Sequence, residues 1–240
     1  LRMMTEQIIP GLRFEKAGSL YKAEKYDKAI STYEEVIEEA EKYGVDGLEE
    51  KSLEAITKIN LKAGVEEAKK KDYPKAEEYL KNALEIDSTM VEAYYYLALV
   101  YSKSGKDELE LETNLEGMAI GGENNKYVKR MTSKVINHYS KLAIGLINTK
   151  NYDEAFQYLD TALSYGEIAQ TYYYYGSGLN AAKKYTEAEK KLEKAFELNA
   201  GKDKSIEAKI NFEMGHVYLY GKDDKVKACE YYTKAKVGNM

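Results

Sequence analysis

A short phrase recurs five times along the chain and leaves it few ways to fold. The copies are Lys25-Tyr26-Asp27-Lys28-Ala29, Asp72-Tyr73-Pro74-Lys75-Ala76, Asn151-Tyr152-Asp153-Glu154-Ala155, Lys184-Tyr185-Thr186-Glu187-Ala188 and the looser Asp224-Lys225-Val226-Lys227-Ala228. Four residues after each alanine stands a large side chain: Tyr33, Leu80, Leu159, Leu192 and Tyr232. Seven residues after it comes another apolar one: Val36, Ala83, Ala162, Ala195 and Ala235. Spacing of i, i+4 and i+7 is one face of a helix. The leading alanine lets a neighbouring helix come close, and the later bulk fills the space beyond it. Asp27, Asp153 and Thr186 are expected to cap these helices, and Pro74 suits a first turn.

A second helical pattern lies upstream of each phrase. Tyr94, Leu97, Ala98 and Tyr101 are spaced i, i+3, i+4, i+7, and Tyr139, Leu142, Ala143 and Leu146 repeat the spacing. Tyr172, Tyr175, Gly176 and Leu179 follow it, as do Asn211, Met214, Gly215 and Tyr218, and more weakly Asn60, Ala63, Gly64 and Glu67. Each unit therefore reads as helix, short turn, helix.

This small-residue, tyrosine and alanine pattern resembles the tetratricopeptide repeat (TPR) family, whose period is about 34 residues. The resemblance implies an all-α, right-handed superhelical solenoid of about six antiparallel helix pairs. It divides residues 1–240 into approximate units 11–43, 52–88, 89–122, 130–166, 167–200 and 205–236. With Ala29, Ala76, Leu111, Ala155, Ala188 and Ala228 as anchors, the spacings are 47, 35, 44, 33 and 40. The excess falls around Gly44–Gly47, around 121–125, and between Ala200–Asp203 and Tyr220–Asp224, where longer helices and loops are expected. Gly121-Gly122 suggests a hinge at 121–125. The third unit departs from the pattern, with Leu111, Leu115 and Met118 in place of an alanine-led triplet, and the family's tryptophan is absent throughout.

The resemblance also implies a concave groove lined by the first helix of each unit. Its lining comes from the residue after the Trp-like slot and from those four and seven further on. The first slots hold Phe14, Leu61, Tyr95, Ser140, Tyr173 and Phe212, and the second include Leu99, Ile144, Ser177 and His216. Asn180 stands at a third slot. Family members that clamp a chaperone's C-terminal carboxylates use Lys at the first slot and Asn at the second; neither occurs here, which argues against that ligand. The groove candidates Phe14, Tyr95, Leu99, Ile144, Tyr173, Asn180, Phe212 and His216 suit apolar side chains of an extended or helical peptide. On a helix, consecutive tyrosines point in different directions. Tyr94, Tyr172 and Tyr175 therefore read as packing residues, while Tyr95 and Tyr173 fall at groove slots.

Composition narrows the function classes. The 36 basic and 41 acidic residues give a net charge of −5, without the basic track that nucleic acid requires, and Lys69-Lys70-Lys71 follows Glu66-Glu67. Two histidines, His138 and His216, and one cysteine supply no metal-ligand spacing and no disulfide framework. Cys229 reads as a small buried residue of a second helix. Gly176-Ser177-Gly178 lies inside a helical pattern with no preceding strand, so it has no phosphate-loop context. The acidic runs near Glu34–Glu41 and Glu108–Glu112 read as solvated faces, or as a contact for a basic partner. No stretch reaches the ~18 apolar residues of a membrane span. The expected function is a non-catalytic protein–protein interaction module without cofactor or metal, binding a peptide or helix of a partner. The alternative is a structural subunit that assembles through the ends or edges of the array. The partner's identity, the oligomeric state and the compartment stay open. The chain begins at Leu1, which fits a cytoplasmic protein or an exported one with its signal removed.

Overall fold

The computed structural model describes residues 2–237, with side chains from 8 to 236; Leu1, on which the reading of the N-terminus rests, lies outside them. Among the described residues there are twelve α-helices, one π-helical turn and no strand. The helices are α1 (Arg2–Lys22), α2 (Tyr26–Tyr43), α3 (Leu48–Lys70), α4 (Tyr73–Ile86), α5 (Val91–Lys103) and α6 (Asp107–Ile120). They continue as α7 (Lys126–Asn148), α8 (Tyr152–Tyr165), α9 (Ala169–Ala181), α10 (Tyr185–Asn199), α11 (Lys204–His216) and α12 (Lys225–Val237), with the π turn at Val217–Gly221. Short turns join them as six helix pairs. The chain forms two compact units, Leu1–Met131 and Thr132–Met240.

The pairs close where the sequence placed its small residues. Ala29, Ala76, Ala155 and Ala188 are fully buried, as are Leu80, Leu159 and Leu192 four residues on. Opposite them, a Cβ added to Gly64 would lie 2.7 Å from Leu80 Cγ and 3.2 Å from the Ala76 carbonyl oxygen. One added to Gly176 would lie 2.5 Å from Leu192 Cγ and 3.3 Å from the Ala188 oxygen. Gly215 meets the Tyr232 ring in the same way. At these crossings the helix backbones touch almost directly, and the large residue of the second helix wraps over the glycine.

A second repeated device ties pairs together. Glu77, next to Ala76, accepts from Lys81 Nζ and Lys106 Nζ, each at 2.7 Å, and from the Tyr101 hydroxyl at 3.2 Å. Glu189, next to Ala188, accepts from Lys222 Nζ and from the Tyr218 hydroxyl. In both cases the carboxylate binds α4 or α10 to the end of the following first helix and to the turn after it. Burial alone would raise the Glu77 carboxyl, but the Lys106 and Lys81 ammonium groups hold it down at about 2.

The extra length between repeats goes into helices and linkers. α3 and α7 each run 23 residues, against 13 for α5, α9 and α11. The excess near the C-terminus includes the π turn, after which Asp224 N–H donates to the Tyr218 carbonyl.

Three local expectations need correction. Helices begin at Tyr26, Tyr152 and Tyr185, so Asp27 and Asp153 lie in the first turn and Thr186 just inside it, and none is the cap. There the carboxylates complement the helix dipole, and Asp27 also accepts from the Tyr79 hydroxyl. Asp72 is a true cap, accepting from Lys75 N–H ahead of Pro74. In α6 the buried residues are Thr113, Asn114 and Gly117. The repeat register is therefore Glu110, Asn114, Gly117, one residue earlier than Leu111, Leu115, Met118, and Glu110 stands 34 residues after Ala76. Gly117 packs against Tyr94 and Met131, and Asn114 Nδ2 returns to the Glu110 carbonyl at 2.8 Å. Cys229 is exposed, because it faces outward from the last helix.

Replacing Gly176 by Ala should destabilise the protein by about 1–3 kcal/mol through overpacking against Leu192. Gly145→Ala, in α7 with open space around it, should stabilise it by about 0.5–1 kcal/mol. Urea unfolding of the two variants measures both. The Glu77 contribution is complete above the ordinary glutamate value of ~4.3 and is lost as pH falls from there through about 2. Over that window Glu77→Gln should lose less stability than the parent chain, read as urea midpoint against pH.

Candidate functional site

Of the eight groove candidates, Phe14, Tyr95 and Leu99 lie in the first unit, and Ile144, Tyr173, Asn180, Phe212 and His216 in the second. Phe14 is half-buried and packs edge-on against Tyr33, with ring centroids 5.1 Å apart. Tyr95 is half-buried in an aromatic cluster, 5.2 Å from the Tyr96 ring and 5.3 Å from Tyr127, with the Arg130 guanidinium 5.6 Å from its centroid. Leu99 and Ile144 are half-buried.

Three candidates converge in the second unit. Tyr173 of α9 and Phe212 and His216 of α11 share one pocket of about 500 Å³ with Ala208, Lys209, Tyr232, Ala235 and Lys236. One turn of helix separates Phe212 from His216, so their rings meet at 4.7 Å. Tyr232 of α12 closes the side, 5.6 Å from Phe212 and 6.0 Å from His216. Phe212 is 48% exposed. The walls are aromatic, and Lys209 and Lys236 are the charged groups in the lining.

A polar network underlies this face. Ser177 Oγ donates to Glu213 Oε1 at 2.9 Å, and Asn180 Nδ2 donates to Glu213 Oε2 at 2.8 Å and to its carbonyl at 2.9 Å. Both Glu213 groups can only accept, so the Asn180 amide is oriented with its nitrogen toward α11. His216 Nδ1 lies 3.7 Å from Glu213 Oε2. Burial, then the Glu213 charge, pushes the Tyr173 phenol above its ordinary value. Asn180 itself is buried. It also lines a neighbouring pocket with Lys183, Tyr185, His216 and Tyr220. The positions that sequence reasoning missed are Ala208 and Lys209 of α11, which fall between the slots the resemblance supplies, and Tyr232, Ala235 and Lys236 of α12, a second helix.

Among the residues read as packing, Tyr172 and Tyr175 are buried and Tyr94 half-buried. Among the described residues, no group of three or more His, Cys, Asp or Glu side chains could hold a metal ion, and no helix is long and apolar enough to cross a membrane.

Successive helix pairs packed small residue against large make the chain an all-α helical-repeat protein with a tetratricopeptide-like fold. No family model matches the sequence, and no curated protein does. Among solved structures, it is similar to YrrB, described as a TPR protein with an unusual peptide-binding site, at 20% identity over 75% of this chain and 84% of that one, TM-score 0.44. It is similar to MamA from Desulfovibrio magneticus RS-1, at 16% identity over 77% and 95%, TM-score 0.47. It is also similar to Pseudomonas aeruginosa PilF, at 23% identity over 78% of each, TM-score 0.44. The helix-pair assignment rests on the packing above rather than on these likenesses.

Replacing Asn180 by Ala removes two donors from Glu213. This should cost about 1–3 kcal/mol, because the carboxylate is left under-satisfied in a partly buried site. Thermal unfolding of the variant measures it.

Proposed function

We propose that this protein is a non-catalytic interaction module that binds a peptide or helix of a partner on the first-helix face of its repeats. The observation that carries the reading is the meeting of Tyr173, Phe212, His216 and Tyr232 around one open pocket. A half-exposed phenylalanine among aromatic neighbours is an anchor site for an apolar side chain, since large rings contribute area with few rotors to freeze. Lys209 and Lys236 at the rim favour a segment with a carboxylate near its apolar residue. In the first unit Tyr95 is the corresponding anchor, with its ring already held by Tyr96, Tyr127 and Arg130.

The second reading is assembly through the array's ends or edges. Exposed Leu109 and Ile120 on α6 favour it.

Peptide display against the folded chain, with Tyr173→Ala/Phe212→Ala as counter-selection, separates the two. Under the groove reading, an apolar motif is enriched on the parent chain alone, and its affinity falls by at least about tenfold in the variant. Helicity and solution mass should stay unchanged. Binding indifferent to both substitutions, with a mass that changes in Leu109→Lys/Ile120→Lys, would move the working surface to the edge.

A further inference from the structure

The aromatic pocket of the second unit has a polar neighbour. A space of about 640 Å³ is lined by Asn180, Ala181, Lys183, Tyr185, His216 and Tyr220. It adjoins the Tyr173–Phe212 pocket at the His216 ring, which lines both. Two turns build it. Lys183 stands between α9 and α10 at a φ of 62°, and the N–H groups of Lys183 and Lys184 are spent on the Asn180 and Leu179 carbonyls. The π turn after α11 carries Tyr220, 64% exposed and edge-on to the His216 ring at 5.7 Å. That turn ends at Gly221, where a Cβ would lie 2.5 Å from the Tyr185 Cβ, so the two turns are held against each other. π turns are rare and occur often at functional sites.

The donors in this space are unspent. Among the described residues, the Lys183 ammonium and the Tyr185 and Tyr220 hydroxyls have no hydrogen-bond or ion-pair partner. Elsewhere in the chain a lysine and a tyrosine hydroxyl at a turn close on a carboxylate: Lys106 and Tyr101 on Glu77, Lys222 and Tyr218 on Glu189. Here the chain supplies none. Glu213 lies 3.7 Å from His216 Nδ1, but its acceptors already hold Ser177 and Asn180. Lys209 and Lys236 of the adjoining pocket are unpaired as well, so the combined lining carries three free ammonium groups and no carboxylate.

We infer that this second space takes the carboxylate side chain of the same partner segment whose apolar side chain fills the Tyr173–Phe212 pocket. The inference rests on the peptide reading above and adds an acidic residue to what is recognised. Lys183 supplies the opposite charge, and the Tyr185 and Tyr220 hydroxyls donate to the carboxylate oxygens. On an extended segment, side chains two residues apart point to one face at a spacing of about 7 Å. One shared imidazole ring separates the two spaces, so the motif is an apolar and an acidic residue with one residue between them. Lys183 lies in a turn, outside the first-helix slots that hold a chaperone's C-terminal carboxylates.

The test is calorimetric titration of the full chain with short peptides carrying Phe and Asp two residues apart, in both orders, beside their Phe/Asn versions. In one order the Asp peptide should bind about three- to tenfold more tightly than its Asn version, and raised salt should shrink the advantage. Lys183→Gln, a change at an exposed turn residue, should erase the advantage while leaving the Asn peptide unchanged. Tyr173→Ala/Phe212→Ala should weaken both peptides. Equal affinity of the Asp and Asn peptides, with binding still lost in Tyr173→Ala/Phe212→Ala, would overturn this inference and leave the groove reading standing. An Asp advantage that survives Lys183→Gln and disappears in Lys209→Gln/Lys236→Gln would put the carboxylate at the outer rim, and would also overturn it. Binding of none of the peptides would overturn the groove reading and this inference together.

Discussion

Three of the six helix pairs depend on two backbones approaching closely enough that one side chain must be absent. Gly64, Gly176 and Gly215 give up their Cβ so that Leu80, Leu192 and Tyr232 can lie across the helix. The gain is contact area at interior density, and the cost is that the position tolerates nothing larger. Because the same contact recurs in successive units, the spacing of helices is set locally and needs no distant part of the chain. The carboxylates at Glu77 and Glu189 then fix the direction in which the next pair is added, by holding the tyrosine and lysine of the following turn.

The face that gathers Tyr173, Phe212, His216 and Tyr232 follows from this geometry. Small residues on one side of each first helix face its own partner helix. Phe212, one turn from Gly215, reaches the ring of the same Tyr232 and yet stays 48% exposed. Glu213 looks away from this pocket, toward α9, and spends its acceptors on Ser177 and Asn180. The face is therefore rigid beneath and apolar above.

The helix pairs were legible because alanine, glycine and tyrosine stand at helical spacings that few other architectures use. Individual registers were less so. In α6 the apolar stripe of Leu111, Leu115 and Met118 drew the eye, yet Asn114 and Gly117 are inside, since what a close crossing selects is smallness and not hydrophobicity. Asp27, Asp153 and Thr186 look like caps, but the chain enters each helix one residue earlier, at the tyrosine. Cys229 stands next to a buried alanine and faces out, as adjacent residues on a helix do.

One consequence belongs to α6. Where α2, α4, α8 and α10 bury a leucine or tyrosine at the middle of their inner stripe, this one buries Asn114, whose amide is spent on its own helix at the Glu110 carbonyl. Its flanking apolar residues Leu109 and Ile120 face solvent. Free energy in a repeat array is distributed by nearest-neighbour contact, so a helix that buries little bulk opens more readily than neighbours that bury more. The backbone amides of α6 should trade their protons sooner than those of α4 and α5, which bury Leu80, Leu97 and Tyr101, and long before the protein unfolds as a whole.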